Sequence, residues 1–353
     1  MRYIVALALF LAVMPLCLAS DYGAGQIPIP SGAEAVLEEQ TPLDTDLNGG
    51  LSKLLDTAMD LIKAQSGGAL RTLFLLVAVA VLMGIASGMW NATGGTADTA
   101  IRVAGILAAA AVSFGGTRAL IDLTRDTVTQ IGTFSKALLP VMATATVATG
   151  APAGAVARHA ATLLFSDVLI TVIDRFLLPA AYLYAAALTA DAALGGAALS
   201  GVVRFIKWGT GTLLKVLMTV YVGYLTVSGA VAGAADAMLQ KSAKLAISGM
   251  VPVVGGILSD ASETVIAGAG IVKSSVGVFG LLAVLGVVLT PIITLGINYL
   301  LYKLAAAVAA PAAPPAITEF LEKLSDVFAL MLGMTASAAL LLLIGIVSCM
   351  MVG

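Results

Sequence analysis

Charge and reactive side chains are scarce in this chain. Only 11% of its 353 residues are Asp, Glu, Lys or Arg, against about 25% in ordinary soluble domains. There is one histidine, His159, and there are two cysteines, Cys17 and Cys349. Metal clusters and disulfide frameworks need more ligands than that, so both classes are excluded. An intramembrane zinc protease would need a second histidine. A Gly-rich loop followed by Lys and Ser or Thr is missing, which removes nucleotide motors of that type. No serine stands in a nucleophile elbow, and a Ser/His/Asp reading would rest on His159 alone. With 18 basic and 20 acidic residues the net charge is -2. No concentrated basic patch exists to meet a nucleic acid. The expectation is a chain with no catalytic residues, no cofactor and no metal.

What is abundant is apolar and small. Hydrophobic residues make up 60% of the chain, with 37 glycines and few aromatics, and the mean hydropathy is +1.05. Residues 213–235 are apolar apart from Lys215, and residues 278–301 form the clearest apolar run, with Pro291 inside as a kink. Each is long enough to cross a hydrocarbon core about 30 Å thick. Small residues let such helices approach closely. The fold expected is all-α: a polytopic helical membrane protein with an N-terminal signal peptide, interfacial amphipathic helices and Pro/Gly-broken spans.

In chain order, Met1-Arg2, an apolar stretch and the small residues around Ala19-Ser20 read as a secretory signal peptide over residues 1–20. An uncleaved first anchor is the alternative. Residues 21–67 hold an exported polar segment, within which Leu51, Leu54, Leu55, Met59 and Ile62 lie at helical spacing. That spacing predicts an amphipathic helix against the membrane or the bundle. Residues 68–353 form the multispan body. Residues 68–89 are its first strong span, and residues 101–114 are a short one. Residues 118–136 carry five charges among apolar positions and read as an interfacial helix. Asp174-Arg175 reads either as a loop between short helices or as an intrabundle pair. His159, beside Arg158, reads as interfacial rather than as a proton relay. The alternation of inside and outside loops is only weakly biased by charge.

Pro140 and Pro252 are separated by the same interval as Pro179 and Pro291. The blocks 101–190 and 213–302 are therefore a possible weak internal repeat, or a coincidence of proline spacing. Paired broken helices of that kind occur in transporters. Pro252-Val-Val-Gly-Gly-Ile-Leu-Ser-Asp260, followed by Glu263, is the most distinctive local sequence. Gly255 and Gly256 permit a turn, and Asp260 with Glu263 has the spacing of a capping box. A tight turn plus cap is one reading, and a polar constriction or partner contact is the other. With Asp236 and Pro291, these residues are the candidate structural or partner-contact positions: Asp236, Pro252, Gly255, Gly256, Asp260, Glu263 and Pro291.

The chain resembles the stage III sporulation protein AE family. The resemblance is carried by Gly229-Ala-Val-Ala-Gly-Ala-Ala-Asp236, Lys241-Ser-Ala-Lys244, the Pro252 to Asp260 string, Glu263-Thr-Val265 and Leu301-Tyr-Lys-Leu304. It implies a multi-pass protein of the mother-cell membrane surrounding the forespore. It further implies partners among the other membrane proteins of one sporulation complex, in which the protein is a channel or secretion-like apparatus component, with a homo-oligomer as an option. A secondary transporter acting alone is the alternative.

Overall fold

The structure, a computed structural model, describes residues 29–30, 33–37, 47–90, 96–148, 153–195, 199–227 and 275–350. Among the described residues all regular structure is helical. We number the helices α1 (Glu34–Leu37), α2 (Leu47–Trp90), α3 (Thr96–Ala148), α4 (Ala153–Val172), α5 (Leu178–Leu194), α6 (Ser200–Val227), α7 (Ser275–Ala309) and α8 (Pro315–Met350). A π turn, Ile173–Leu177, joins α4 to α5. Among the described residues five helices are long and apolar enough to cross a membrane: α2, α3, α6, α7 and α8. The chain is thus an all-helical protein with multiple long apolar helices, consistent with a polytopic membrane protein.

The helices run alternately up and down. Gly105 of α3 lies against Met83 of α2, while Gly84 of α2 lies against Ala312 in the α7–α8 turn. Gln65 Nε2 donates to Thr294 Oγ1 at 2.6 Å, so α2 and α7 are parallel neighbours. Leu138 of α3 and Ile346 of α8 both meet Gly280 at the start of α7. Lys207 reaches Asp326, and Tyr221 donates to the Leu341 carbonyl, which sets α6 parallel to α8. The ends of α2, α5 and α7 and the starts of α3, α6 and α8 therefore lie at one end, called here the turn end.

The α7–α8 pair forms the centre. The apolar window of α8 is almost wholly buried and that of α7 mostly so, whereas the windows of α2 and α3 are largely exposed. Tyr302 and Phe328 stack across the pair with ring centroids 4.9 Å apart. The turn between them follows from its prolines. Residues 310–314 carry Pro311 and Pro314, and Pro315 begins α8. Proline cannot donate the next helical bond, yet it fits the first helical position.

Several stretches expected as separate pieces are continuous. The amphipathic segment around residues 51–63 and the span after it make one helix of 44 residues. The short span at residues 101–114 and the charged stretch 118–136 belong to one helix of 53 residues, with Pro140 inside it. A charged face does not interrupt a backbone whose hydrogen bonds are all internal. At 1.5 Å per residue these helices are about 66 and 80 Å long. Both exceed the roughly 40–45 Å of a whole bilayer.

Asp174-Arg175 is not a loop. Both residues sit in the π turn, where the Leu178 N–H donates to the Ile173 carbonyl. Pro179 explains the turn: without an N–H it leaves the Arg175 carbonyl without its ordinary helical partner. The extra residue re-phases the helix, so that Leu169, Ile173, Leu177, Tyr184 and Leu188 all remain buried. Pro291, by contrast, lies within α7 with no such turn assigned. Its repeat counterpart by spacing sits in a different local backbone.

Candidate functional site

Outward-facing side chains vary along the bundle. Toward the turn end many exposed residues are large and apolar, among them Phe74, Leu82 and Ile85 of α2, Phe114 of α3, Phe205 and Trp208 of α6, and Leu300 and Leu304 of α7, with Arg204, Glu319 and Glu322 exposed among them. Toward the other end α2, α3 and α4 carry charge. Lys63 pairs with Asp60, Arg118 with Asp122, Arg125 with Asp174 at 2.8 Å, and Lys136 with Asp167 at 2.7 Å. These pairs are about half exposed or more. Each is therefore worth about 0–1 kcal/mol in water. The Arg125 and Lys136 pairs still fix the register of α3 against α4 and the π turn. The intrabundle pair anticipated between Asp174 and Arg175 is instead an interhelical pair between Asp174 and Arg125.

One ionic cluster sits deeper, where α5, α6 and α8 meet. Lys207 Nζ lies 2.6 Å from Asp326 Oδ2, with the lysine side chain 38% exposed and the aspartate 17%. The Tyr184 hydroxyl donates, at longer range, to Asp326 Oδ2 (3.5 Å) and to the Lys323 carbonyl (3.4 Å). The carboxylate thus receives an ammonium and a phenol, which offsets its loss of water. An ionisable group within a membrane bundle is retained with a partner, and commonly with a role. Here the arrangement is neutral as a unit, and it ties three helices together. Sequence alone does not reveal it, because Lys207 and Asp326 are remote in the chain and Asp326 stands with Glu319 and Glu322 in what looks like one polar helix face.

Nearer the far end, Tyr221 is fully buried and donates to the Leu341 carbonyl at 3.1 Å. Thr162 and Tyr221 lie 3.4 Å apart through their oxygens, and Gly345 admits the Thr162 methyl. Phe165 packs on the Tyr221 ring with centroids 5.3 Å apart. Tyr221→Phe is expected to lower stability by about 1 kcal/mol, the net value of one buried hydrogen bond. Thermal melting of the detergent-solubilised variant checks it, and an unchanged midpoint would show that the hydroxyl carries nothing.

Of the candidate positions from sequence, Pro291 lies buried in α7. Asp236, Pro252, Gly255, Gly256, Asp260 and Glu263 lie outside the described residues, as do residues 1–20. Among the described residues no group of three or more His, Cys, Asp or Glu is arranged to hold a metal.

A family model described as Stage III sporulation protein AE matches residues 34–353. A curated protein named Stage III sporulation protein AE, from Bacillus subtilis (strain 168), is 26% identical over 194 residues. That match covers 54% of this chain and 48% of the relative, so it spans about half the relative's length. No solved structure matches the chain.

Proposed function

This chain belongs to the Stage III sporulation protein AE family, and on that premise we propose that it is a non-enzymatic membrane component of a sporulation transenvelope assembly. In this reading it sits in the mother-cell membrane around the forespore, residues 1–20 direct export, and the assembly is a channel or secretion-like apparatus. Its partners are other membrane proteins of that assembly.

The observation that supports this best is an uncovered apolar stripe on α2. Its first turns run beside α7 from Leu282 to Thr294, and their outer face carries Leu51, Leu55, Met59 and Ile62, all exposed. The same turns carry Lys53, Asp56, Asp60 and Lys63. An apolar stripe bordered by both charge signs is what a partner helix seats on.

The test is co-purification from sporulating cells. Replacing Leu55 and Met59 together with lysine is expected to cut recovery of partner membrane proteins about tenfold or more. Two buried apolar anchors contribute roughly that much to an interface. The double variant should keep its own melting temperature, because neither side chain is buried in the bundle. Unchanged recovery and normal sporulation would remove the stripe from the assembly. Ion-gradient-driven solute uptake by the purified protein alone in liposomes would overturn the component reading itself.

A further inference from the structure

A cavity of about 330 Å³ opens at the turn end between α3, α5 and α8, apart from the Lys207–Asp326 cluster. Its walls include Arg102, Asp191, Gly195, Glu319, Phe320 and Lys323. The volume lies at the small end of the usual ligand-pocket range.

The four charged groups are not equivalent. Lys323 already pairs with Glu319 at 3.3 Å. Arg102 Nε is buried with no hydrogen-bond partner. Asp191 is only 2% exposed, and its Oδ1 accepts the Leu199 N–H at 2.9 Å, just before α6 begins. Among the described residues no ion pair joins Arg102 to Asp191. The cavity is therefore lined by one under-satisfied cation from α3 and one deeply set carboxylate from α5. Gly195 is part of this construction. Its φ of 102° is left-handed, and the Arg102 guanidinium lies against it, where a Cβ would come within 3.2 Å. A residue with a side chain would be strained there and would crowd the arginine.

An anion on a ligand is drawn to the Arg102 guanidinium, and a cation on the same ligand to the Asp191 carboxylate, since both residues line the cavity. An anion alone would face Asp191, and a cation alone would face Arg102. Location narrows the ligand further. Leu107 and Leu194 are both exposed, one on each of the two helices that carry Arg102 and Asp191. Each stands within two turns of the charged residue on its own helix, on an outer surface that lipid would cover.

We propose that this cavity binds a phosphate–ammonium zwitterion, with the phosphate on Arg102 and the ammonium on Asp191, and that a phosphoethanolamine lipid headgroup supplies it. A guanidinium is suited to a phosphate oxygen pair, and a carboxylate to an ammonium.

Native mass spectrometry of the full chain in detergent tests this. Phosphatidylethanolamine and phosphatidylglycerol are added in equal amounts, with glycerophosphoethanolamine in a separate arm. One phosphatidylethanolamine should be retained in about tenfold preference, and Arg102→Gln and Asp191→Asn should each lower its retention about tenfold. Arg102→Lys, which keeps the charge but not the fork, should bind less than wild type and more than Arg102→Gln, and serves if the glutamine variant does not fold. Tight binding of chain-free glycerophosphoethanolamine would support the same headgroup chemistry and assign it to a soluble source. Equal retention of the two lipids, or full retention by a folded Arg102→Gln protein, would overturn the proposal.

Discussion

Gly84→Leu is expected to disrupt the turn end of the bundle, with a loss of about 3 kcal/mol or more. Even a single Cβ at this position would run into the Ala312 carbonyl and crowd the Ala313 Cα. Overpacking against side chains usually costs about 1–3 kcal/mol, because rotamers yield. Here the obstacle is backbone, in a turn fixed by Pro311, Pro314 and Pro315, whose φ angles are locked. The turn also uses its own hydrogen bonds, with the Ala312 and Ala313 N–H groups both donating to the Ala309 carbonyl. It therefore cannot slide without breaking them. Gly88, one turn further along α2, meets nothing within 4 Å. Gly88→Ala should be neutral or up to about 1 kcal/mol stabilising through helix propensity alone. Thermal melting in detergent with limited proteolysis compares the two. Equal melting of Gly84→Leu and wild type would mean that α2 does not seat on the turn.

Asp326→Leu should cost about 1–3 kcal/mol, the order expected when a half-buried charge loses the close counter-charge it has among the described residues. The Lys207 ammonium would lose its 2.6 Å contact, and Tyr184 its longer one. Lys207→Met should be nearly as costly, since the 17%-exposed carboxylate would be left with a distant phenol alone. Combining the two should restore most of the loss, because two apolar groups of similar size need no counter-charge. The double-mutant cycle isolates this coupling. Additive losses in the double variant would mean that the two residues act independently. Because Asp326 is largely buried, the pair should be screened by salt less than the exposed pairs on α3 and α4.

The helical membrane class was legible because it depends on composition and run length. The same holds for the break before α8, where three prolines within five residues leave one local solution. Helix continuity was harder to see. Arg118, Asp122, Arg125 and Asp126 look like the end of a span, yet all project from one side of a helix that simply continues. The π turn was hidden for another reason. Pro179 acts on a carbonyl four residues earlier, so its effect exists only once the surrounding helix does. Tertiary pairs such as Lys207 with Asp326 leave no local trace, since neither neighbourhood names the other. The Asp236 to Glu263 positions, which gave the family resemblance its most specific residues, lie outside the described residues, so the candidate site rests on other side chains.

The order of the helices along the chain has a consequence for biogenesis. α8 is the most enclosed helix, and it follows every helix that encloses it. A ribosome releases the wrapping before the post it wraps. Until α8 is threaded home, α4, α6 and α7 present the lining meant for it to lipid, to chaperones or to one another. Membrane quality-control proteases would therefore meet a hollow intermediate in every round of synthesis, and the yield of finished protein would be governed by how quickly that last insertion occurs.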